Sequence, residues 1–447
     1  MAISHESLEI FRHFFEVMPR FWRRRRGSLG PAQVVVSLMT MTVLGTKGYE
    51  KTISEMKVHL GKALGWLTDE DVPTASALCQ ARRKLGPPQC AALVSEVYAM
   101  CTSARACASL GYGGFRVVAE DGTKLVLPAY AALRRHFGCP SQGVGNELQG
   151  PQAALSVLWD VGANQPISWQ LGPFRTSEQE QALALAPSVG PGDLFLADRN
   201  YPSRLFVTTL HLRKADMLMR IRGGCPGTMR EVTAFLSTDA EEAVIDMETR
   251  DERGQHLTDL PTIPMRLMRT RLPDGSNAVF LTSLLDQNRH PARELITLYT
   301  ARWRIETAFR ELKIWHGLER FNARHVDGIA QEIAAMMIFQ LLASELEARA
   351  RMAHREAAIQ DQPDEQPQSL QLPTVRFNRR ILADCTVNLI MAAAAGGQSL
   401  VDVFRYSLFR LWRYRQSINP HPRSFPRQRK SSHRGWKPRG AEGKGKS

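Results

Sequence analysis

The sequence predicts an α/β protein, with a mixed-layer core preceded by a helical region and followed by further helices. Three observations carry this. Apolar residues recur at helical spacing through about the first hundred positions. From about residue 113 the pattern changes to short strand-like runs bounded by turn residues. A helical segment, "SEQEQALALAPS", then falls between those runs, the order of a layered α/β domain.

Residues 1–105 read as helical through "ESLEIFRHFFEVM", "PAQVVVSLMTMTVLG" and "AALVSEVYAM", with a break around Pro73. In "PTASALCQARRKLGPP", Thr74 or Ser76 is the candidate N-cap, and Gly86 and Pro87 close the helix. Its basic end, Arg82, Arg83 and Lys84, is either a solvated helix surface or a track for phosphates. A core over 106–352 follows. "GFRVVAEDG" and "AALSVLWDVGANQPISWQLGP" are its first strands and turns, "DLFLADRNY" a buried strand with a polar end, and "ADMLMRIR" another strand. Residues 222–290 read as a mostly β insertion, with Pro273, Asp274 and Gly275 as a turn. A core helix, "EIAAMMIFQLLASELEARA", precedes a segment over 353–415 that holds a Gln/Pro-rich linker and a last helical stretch. A basic tail over 416–447 ends the chain.

Chain length (447 residues) allows two or three domains and a sizeable core. The net charge of +14 favours a polyanionic partner. More than half of it sits between Asn419 and Ser447, where nine Lys and Arg face Glu442 alone, a net +8. Such a tail is either a solubilising extension or a nucleic-acid arm. Seven scattered cysteines without a Cys-x-x-Cys pair predict a reducing compartment, no disulfide framework and no zinc site. The longest apolar runs look too short for a membrane helix, which needs about 20 residues, and the N-terminal charge order is wrong for a signal peptide. The expectation is a soluble cytoplasmic protein with no membrane partner.

The stretch "LYTARWRIETAFRELK" places Tyr299, Arg302, Glu306 and Lys313 at steps of three, four and seven. On one α-helix those steps span an arc of roughly 60°. Trp303 and Ile314 flank that arc on one side, Phe309 and Leu298 on the other. Arg293, Thr297, Thr300, Arg304 and Glu311 gather on a sector that reads as the solvent face. The four polar groups are therefore expected on the packed side, where they need partners.

Two strand-end aspartates are the candidates. Asp121 closes an apolar run in "FRVVAEDGTKLVLP", although Asp-Gly there also reads as a hairpin turn. Asp198 ends "DLFLAD", although it also reads as the cap of a helix at "YPSRL". Glu120 alternates to the other strand face. Three carboxylates brought together repel unless cations neutralise them. Such hard oxygen ligands suit Mg²⁺ or Mn²⁺, and two ions there can drive an in-line phosphoryl displacement.

At these residues the chain resembles the DDE transposases of the insertion sequence 4 family. Its Tyr-x2-Arg-x3-Glu-x6-Lys signature matches Tyr299, Arg302, Glu306 and Lys313. "EDGTKLVLP" and "LADRNY" resemble the segments around the family's first and second catalytic aspartates. "TASALCQARRKLG" and the Arg/Pro/Lys-rich end resemble its N-terminal domain and tail. The resemblance implies a ribonuclease H-like mixed-sheet catalytic core with a β-rich insertion and a helical N-terminal DNA-binding domain. It implies Asp121, Asp198 and Glu306 as catalytic ligands of two Mg²⁺ or Mn²⁺ ions. Tyr299, Arg302, Arg310 and Lys313 would contact the DNA end, with Arg82, Arg83 and Lys84 as further DNA contacts. The implied partners are double-stranded transposon ends and target DNA, held by a homodimer in a nucleoid-associated bacterial protein. Some relatives hold a flipped base with a Trp of the insertion. None stands here, so Phe235 or Phe280 would have to substitute, if a hairpin route is used at all. Two other readings stay open: a structure-selective nuclease on the same core, and a catalytically inactive DNA-binding protein.

Overall fold

A computed structural model describes residues 6–17, 29–43, 45–46, 48–64, 68–106, 111–140, 150–221, 229–251, 253–257, 259–271, 277–314, 317–361, 375–395 and 399–417. The turn at 273–275, the arginine run at 23–26, most of the Gln/Pro-rich linker, Cys107, Cys225 and the tail from 419 lie outside them.

Among the described residues six helices come first: α1 (Glu6–Val17), α2 (Pro31–Val43), α3 (Tyr49–Leu64), α4 (Ala75–Arg82), α5 (Pro87–Met100) and α6 (Thr102–Ala106). Thr74 caps α4, its hydroxyl accepting the Ala77 N–H at 3.1 Å. Gly86 and Pro87 do more than end α4. Gly86 is the N-cap of α5, and Pro87 sits at a first-turn position where its missing N–H costs nothing.

The core follows as β1 (Gly111–Tyr112), β2 (Phe115–Val126), α7 (Ala131–Phe137), β3 (Gln152–Asp160), β4 (Gln165–Pro173), α8 (Glu178–Leu185), β5 (Asp193–Ala197), α9 (Arg204–Leu212) and β6 (Asp216–Ile221). Strands β2, β3 and β4 form an antiparallel meander, and β5 and then β6 join parallel to β2. This is the ribonuclease H-like arrangement, with helices on both faces of a mixed sheet. Gly113 and Gly114, both at positive φ, make the tight link between β1 and β2.

Strand β2 runs straight through Asp121 and Gly122, which pair with Val157 and Ser156 of β3. The hairpin reading of Asp-Gly fails because pairing with β3 is continuous from Val118 to Val126 and outweighs local turn preference. Residues 222–290 contribute α10 (Arg230–Leu236), β7 (Glu242–Met247), β8 (Ile263–Arg271) and β9 (Asn277–Thr282). Their strands extend the same sheet, in the order β4-β3-β2-β5-β6-β9-β8-β7, with β9 pairing β6.

Then come α11 (Ala292–Tyr299), a 3-10 turn over Thr300–Arg302, α12 (Trp303–Ile314) and α13 (Val326–Asp361). The chain continues with β10 (Val375–Arg376), α14 (Arg379–Ala395), α15 (Ser399–Arg413) and β11 (Gln416–Ser417). Helix α13 holds an apolar stretch, Val326–Glu356, long enough by length and composition to cross a membrane, which corrects the reading of its run as too short. In this fold 83% of its apolar window is buried. Residues of α1 to α5, α13, α14 and α15 share one hydrophobic cluster with Leu125, Val157 and Trp159 of the sheet. The N-terminal and C-terminal helices therefore share one core with α13: α2, α5 and α6 lie against α13, and α1 and α3 against α14.

Arg82 is part of that packing. It is 4% exposed and donates to Gln331 Oε1 at 2.9 Å and Tyr49 Oη at 3.0 Å, and it pairs with buried Glu332 at 3.2 Å. The expectation of a phosphate contact at Arg82 is therefore corrected. Its guanidinium faces α13, because α4 turns its basic end inward there, whereas Arg83 and Lys84 are exposed. Replacing Arg82 with Met would strand Glu332 as an unpaired buried charge, at a cost of about 3–5 kcal/mol. Thermal unfolding of Arg82→Met should show a clearly lower midpoint; an unchanged midpoint with weakened DNA binding would restore the surface role.

Candidate active site

Three elements bring the predicted acidic residues together. Asp121 projects from the middle of β2, Asp198 lies one residue beyond β5, and Glu306 sits in the first turn of α12. Strand β5 pairs with β2 only from Arg116 to Ala119. Beyond that point one edge of β2 is open, so Asp121 stands where residues from both sides can approach it. Asp198 is not a helix cap. Ser203 takes that role for α9, accepting the Phe206 N–H at 3.2 Å. Asp198 is left half-buried, with the Tyr299 hydroxyl 3.4 Å from its Oδ1.

Arg302 lies among these acids. Its side chain is buried, its Nη2 is 3.5 Å from Glu306 Oε1, and its Nε has no partner among the described residues. Burial opposes its charge, yet Tyr299, Asp198, Asp121 and Glu306 together hold its pKa above the usual guanidinium value. The Asp121 carboxyl is pushed up to about 6, chiefly by burial; Arg302 and the Gly122 N–H pull the other way, and Glu306 and Glu178 add to the rise. Burial also lifts the Tyr299 phenol to about 12, so it is a hydrogen-bond donor near neutrality.

The stretch from 298 to 313 is not one helix. The 3-10 turn at 300–302 separates α11, which ends at Tyr299, from α12, which carries Glu306 and Lys313. Tyr299 and Arg302 flank and occupy that tighter 3-10 turn, so they do not lie on one continuous α-helical stripe with Glu306. Trp303, expected on the packed side, is 58% exposed with its ring 5.3 Å from the Arg302 guanidinium carbon, and Ile314 is also exposed. Glu311, expected at the solvent face, is half-buried and pairs with Arg379 of α14 at 3.0 Å. The break in the helix rotates α12 relative to a continuous wheel.

Lys313 lies farther along β2. Its Nζ donates to the Lys124 carbonyl at 3.0 Å and pairs with Glu319 at 3.1 Å. Three residues of strand, about 10 Å, separate Lys124 from Asp121. Arg310 is exposed on α12 and donates to the Thr307 hydroxyl. Phe235 and Phe280 are both buried in the core, Phe280 edge-on to Tyr299, so neither is free to hold a base.

Reading by sequence missed Glu178. It opens α8 inside a Ser177–Glu180 capping box, which hides it as a helix-start residue. Its side chain lies over Gly122, its Oε2 accepts from Asn200 Nδ2 at 3.1 Å, and its charge acts on Asp121. Glu120, on the opposite face of β2 from Asp121, is fully buried and accepts from the Ser156 hydroxyl at 2.6 Å. Its other oxygen and the buried Tyr201 hydroxyl have no hydrogen-bond partners among the described residues.

In kind, the Asp121, Asp198 and Glu306 set is all hard oxygen and suits a divalent cation. The three stand round Arg302, however, and among the described residues no group of three His, Cys, Asp or Glu side chains is close enough to hold an ion.

Comparison with known proteins bears on this arrangement. Residues 132–342 match the family described as the transposase DDE domain. The matched span includes Asp198 and Glu306 and begins after Asp121. The chain is 28% identical over 184 residues to the transposase InsG for insertion sequence element IS4 of Escherichia coli (strain K12). That alignment covers 38% of this chain and 38% of InsG, so the chain spans well under half the length of that relative. A piggyBac transposase synaptic complex with hairpin DNA aligns over 93% of this chain and 83% of its own, with 10% identity and a TM-score of 0.39.

The buried Glu120 gives a pH test. Burial pushes its carboxyl up to about 8. Unfolding then releases a proton between the free-Glu value of about 4.3 and that folded value. The associated stability is full below the unfolded pKa and is lost as pH rises through about 8. Relative to Glu120→Gln, the wild-type thermal midpoint should fall across that window; parallel curves for the two proteins would show that Glu120 is not held neutral.

Proposed function

We propose that this protein is a DDE transposase that cleaves DNA at the ends of a mobile element and joins them to target DNA. The observation that carries the reading is the meeting of Asp121, Asp198 and Glu306, from three separate elements, round Arg302 at the open edge of β2. The transposase DDE domain match over residues 132–342 supports it.

In this reading Asp121, Asp198 and Glu306 would hold two divalent cations, Mg²⁺ or Mn²⁺, once drawn closer than they stand here. Such ions, when bound, would supply activation of a water or hydroxyl nucleophile and stabilisation of the leaving oxygen in an in-line displacement. The chain's own groups position the DNA. Tyr299, with its phenol protonated, donates to a phosphate oxygen. Arg302 neutralises the acids and can turn to a phosphate, since its unpartnered Nε leaves a donor in hand. Lys313 and Arg310 extend the cationic side of the site along α12. Arg83 and Lys84 contact the duplex backbone away from the reacting bond. Synapsis of two ends calls for a homodimer.

The test is cleavage of the element's own end DNA in Mg²⁺ by wild type and Glu306→Gln, scored separately for nicked and joined products. A bound ion supplies several kcal/mol, so losing one ligand should slow cleavage roughly 10³-fold at 1.36 kcal/mol per factor of ten, with end binding retained. Equal cleavage by the variant would remove Glu306 from the site. Nicking without any joined product would leave a nuclease instead.

A further inference from the structure

Helix α15 presents two unlike faces. Leu400, Phe404, Ser407, Leu408 and Leu411 are buried against the helical layer. The opposite arc carries Asp402, Arg405, Tyr406, Phe409 and Arg413, all exposed, with Arg410 at its margin and Tyr414 and Arg415 just beyond the helix end. At 100° per residue, positions 402, 405, 406, 409 and 413 fall within about 100° of one another. Three large rings stand in solvent here, Tyr406 at 59%, Phe409 at 63% and Tyr414 at 56%.

From this face we infer that α15 is a binding surface for single-stranded DNA, its arginines following the phosphates and its rings stacking on unpaired bases. Between residues 402 and 416 four arginines stand with Asp402, and Arg410 also lies 4.0 Å from Asp384 of α14; the remaining charge is +2, so a polyanion is the complementary partner and a second copy of this face is not. The chain beyond residue 418 carries nine cations against one acid and continues the same charge, so it does not complement the face either. The exposed rings favour bases over a bare phosphate track. Phe409 has no polar atom to offer a phosphate, whereas every unpaired base has a π-face. Arg410 keeps its guanidinium 5.8 Å from the Tyr406 ring, an arrangement that leaves cation and ring side by side for a sugar-phosphate and its base. The inference does not depend on the transposase reading, because binding needs neither cleavage nor a metal ion.

The test is fluorescence anisotropy with the full chain, without divalent metal, on a labelled oligo(dT) strand and on a duplex of arbitrary sequence. Phe409→Ala should bind oligo(dT) roughly tenfold more weakly, with duplex affinity changed less than about twofold, and Phe409→Trp should retain binding. The pair Arg405→Gln and Arg413→Gln should flatten the salt dependence on oligo(dT) by about 0.7 per arginine. Unchanged oligo(dT) binding in both variants would overturn the inference. So would an equal loss on strand and duplex, which would make the face a plain electrostatic surface. A fall in molar mass by light scattering for Phe409→Ala would overturn it too, by assigning the face to a contact between copies.

Discussion

Three carboxylates drawn toward one point, Asp121 on β2, Asp198 just beyond β5 and Glu306 on α12, would repel one another if nothing stood between them. Arg302 is what stands there. Its position follows from the 3-10 turn, which lets α11 deliver Tyr299 and α12 deliver Glu306 while the guanidinium is turned inward. The unpaired edge of β2 beyond Ala119, the end of β5 at Ala197 and the start of α12 all converge on that one cation. The site is electrostatically closed by the protein's own charge, so a cation from outside meets acids that are already partly neutralised.

Much of this was readable from the residues. The change from helical to strand periodicity near residue 113 and the helix between strands pointed to the layered core. Reading by residue type also named Asp121, Asp198 and Glu306, the acids that act on Arg302 in the fold. The reading failed where long-range pairing decided the outcome. Asp-Gly is a good turn signal, but the nine-residue ladder between β2 and β3 overrode it. A helical wheel assumes one axis, and the turn at 300–302 broke it, so Trp303 and Glu311 exchanged the environments assigned to them. Arg82 looked like a surface charge because its partners, Gln331 and Glu332, lie some 250 residues away along the chain. Glu178 was hidden by a local role, helix capping, that accounts for the sequence around it without reference to Asp121.

Behind Asp121 lies a second polar layer that is not balanced in the same way. Glu120 and Tyr201 are buried, and each keeps one polar atom without a partner among the described residues. Tyr201 belongs to the turn that follows Asp198, its N–H bonded to the Asp198 carbonyl at 3.1 Å, and Glu120 is the neighbour of Asp121. The two aspartate-bearing segments thus back onto buried polar groups close enough for the Glu120 carboxyl to act on the Tyr201 phenol.

The long helix α13 joins parts of the chain that are far apart in sequence. Glu345 accepts the N–H groups of Ser103 and Ala104 at the start of α6, and Glu347 pairs with Arg379 at the start of α14. A growing polypeptide therefore makes α1 to α6 some two hundred residues before the surface they cover exists. Until then their apolar faces have no lasting home, and the ribosome-bound chain must carry them exposed or guarded by chaperones. High contact order of this sort slows folding; α2, α5 and α6 can settle once α13 is made, whereas α1 and α3 wait for α14.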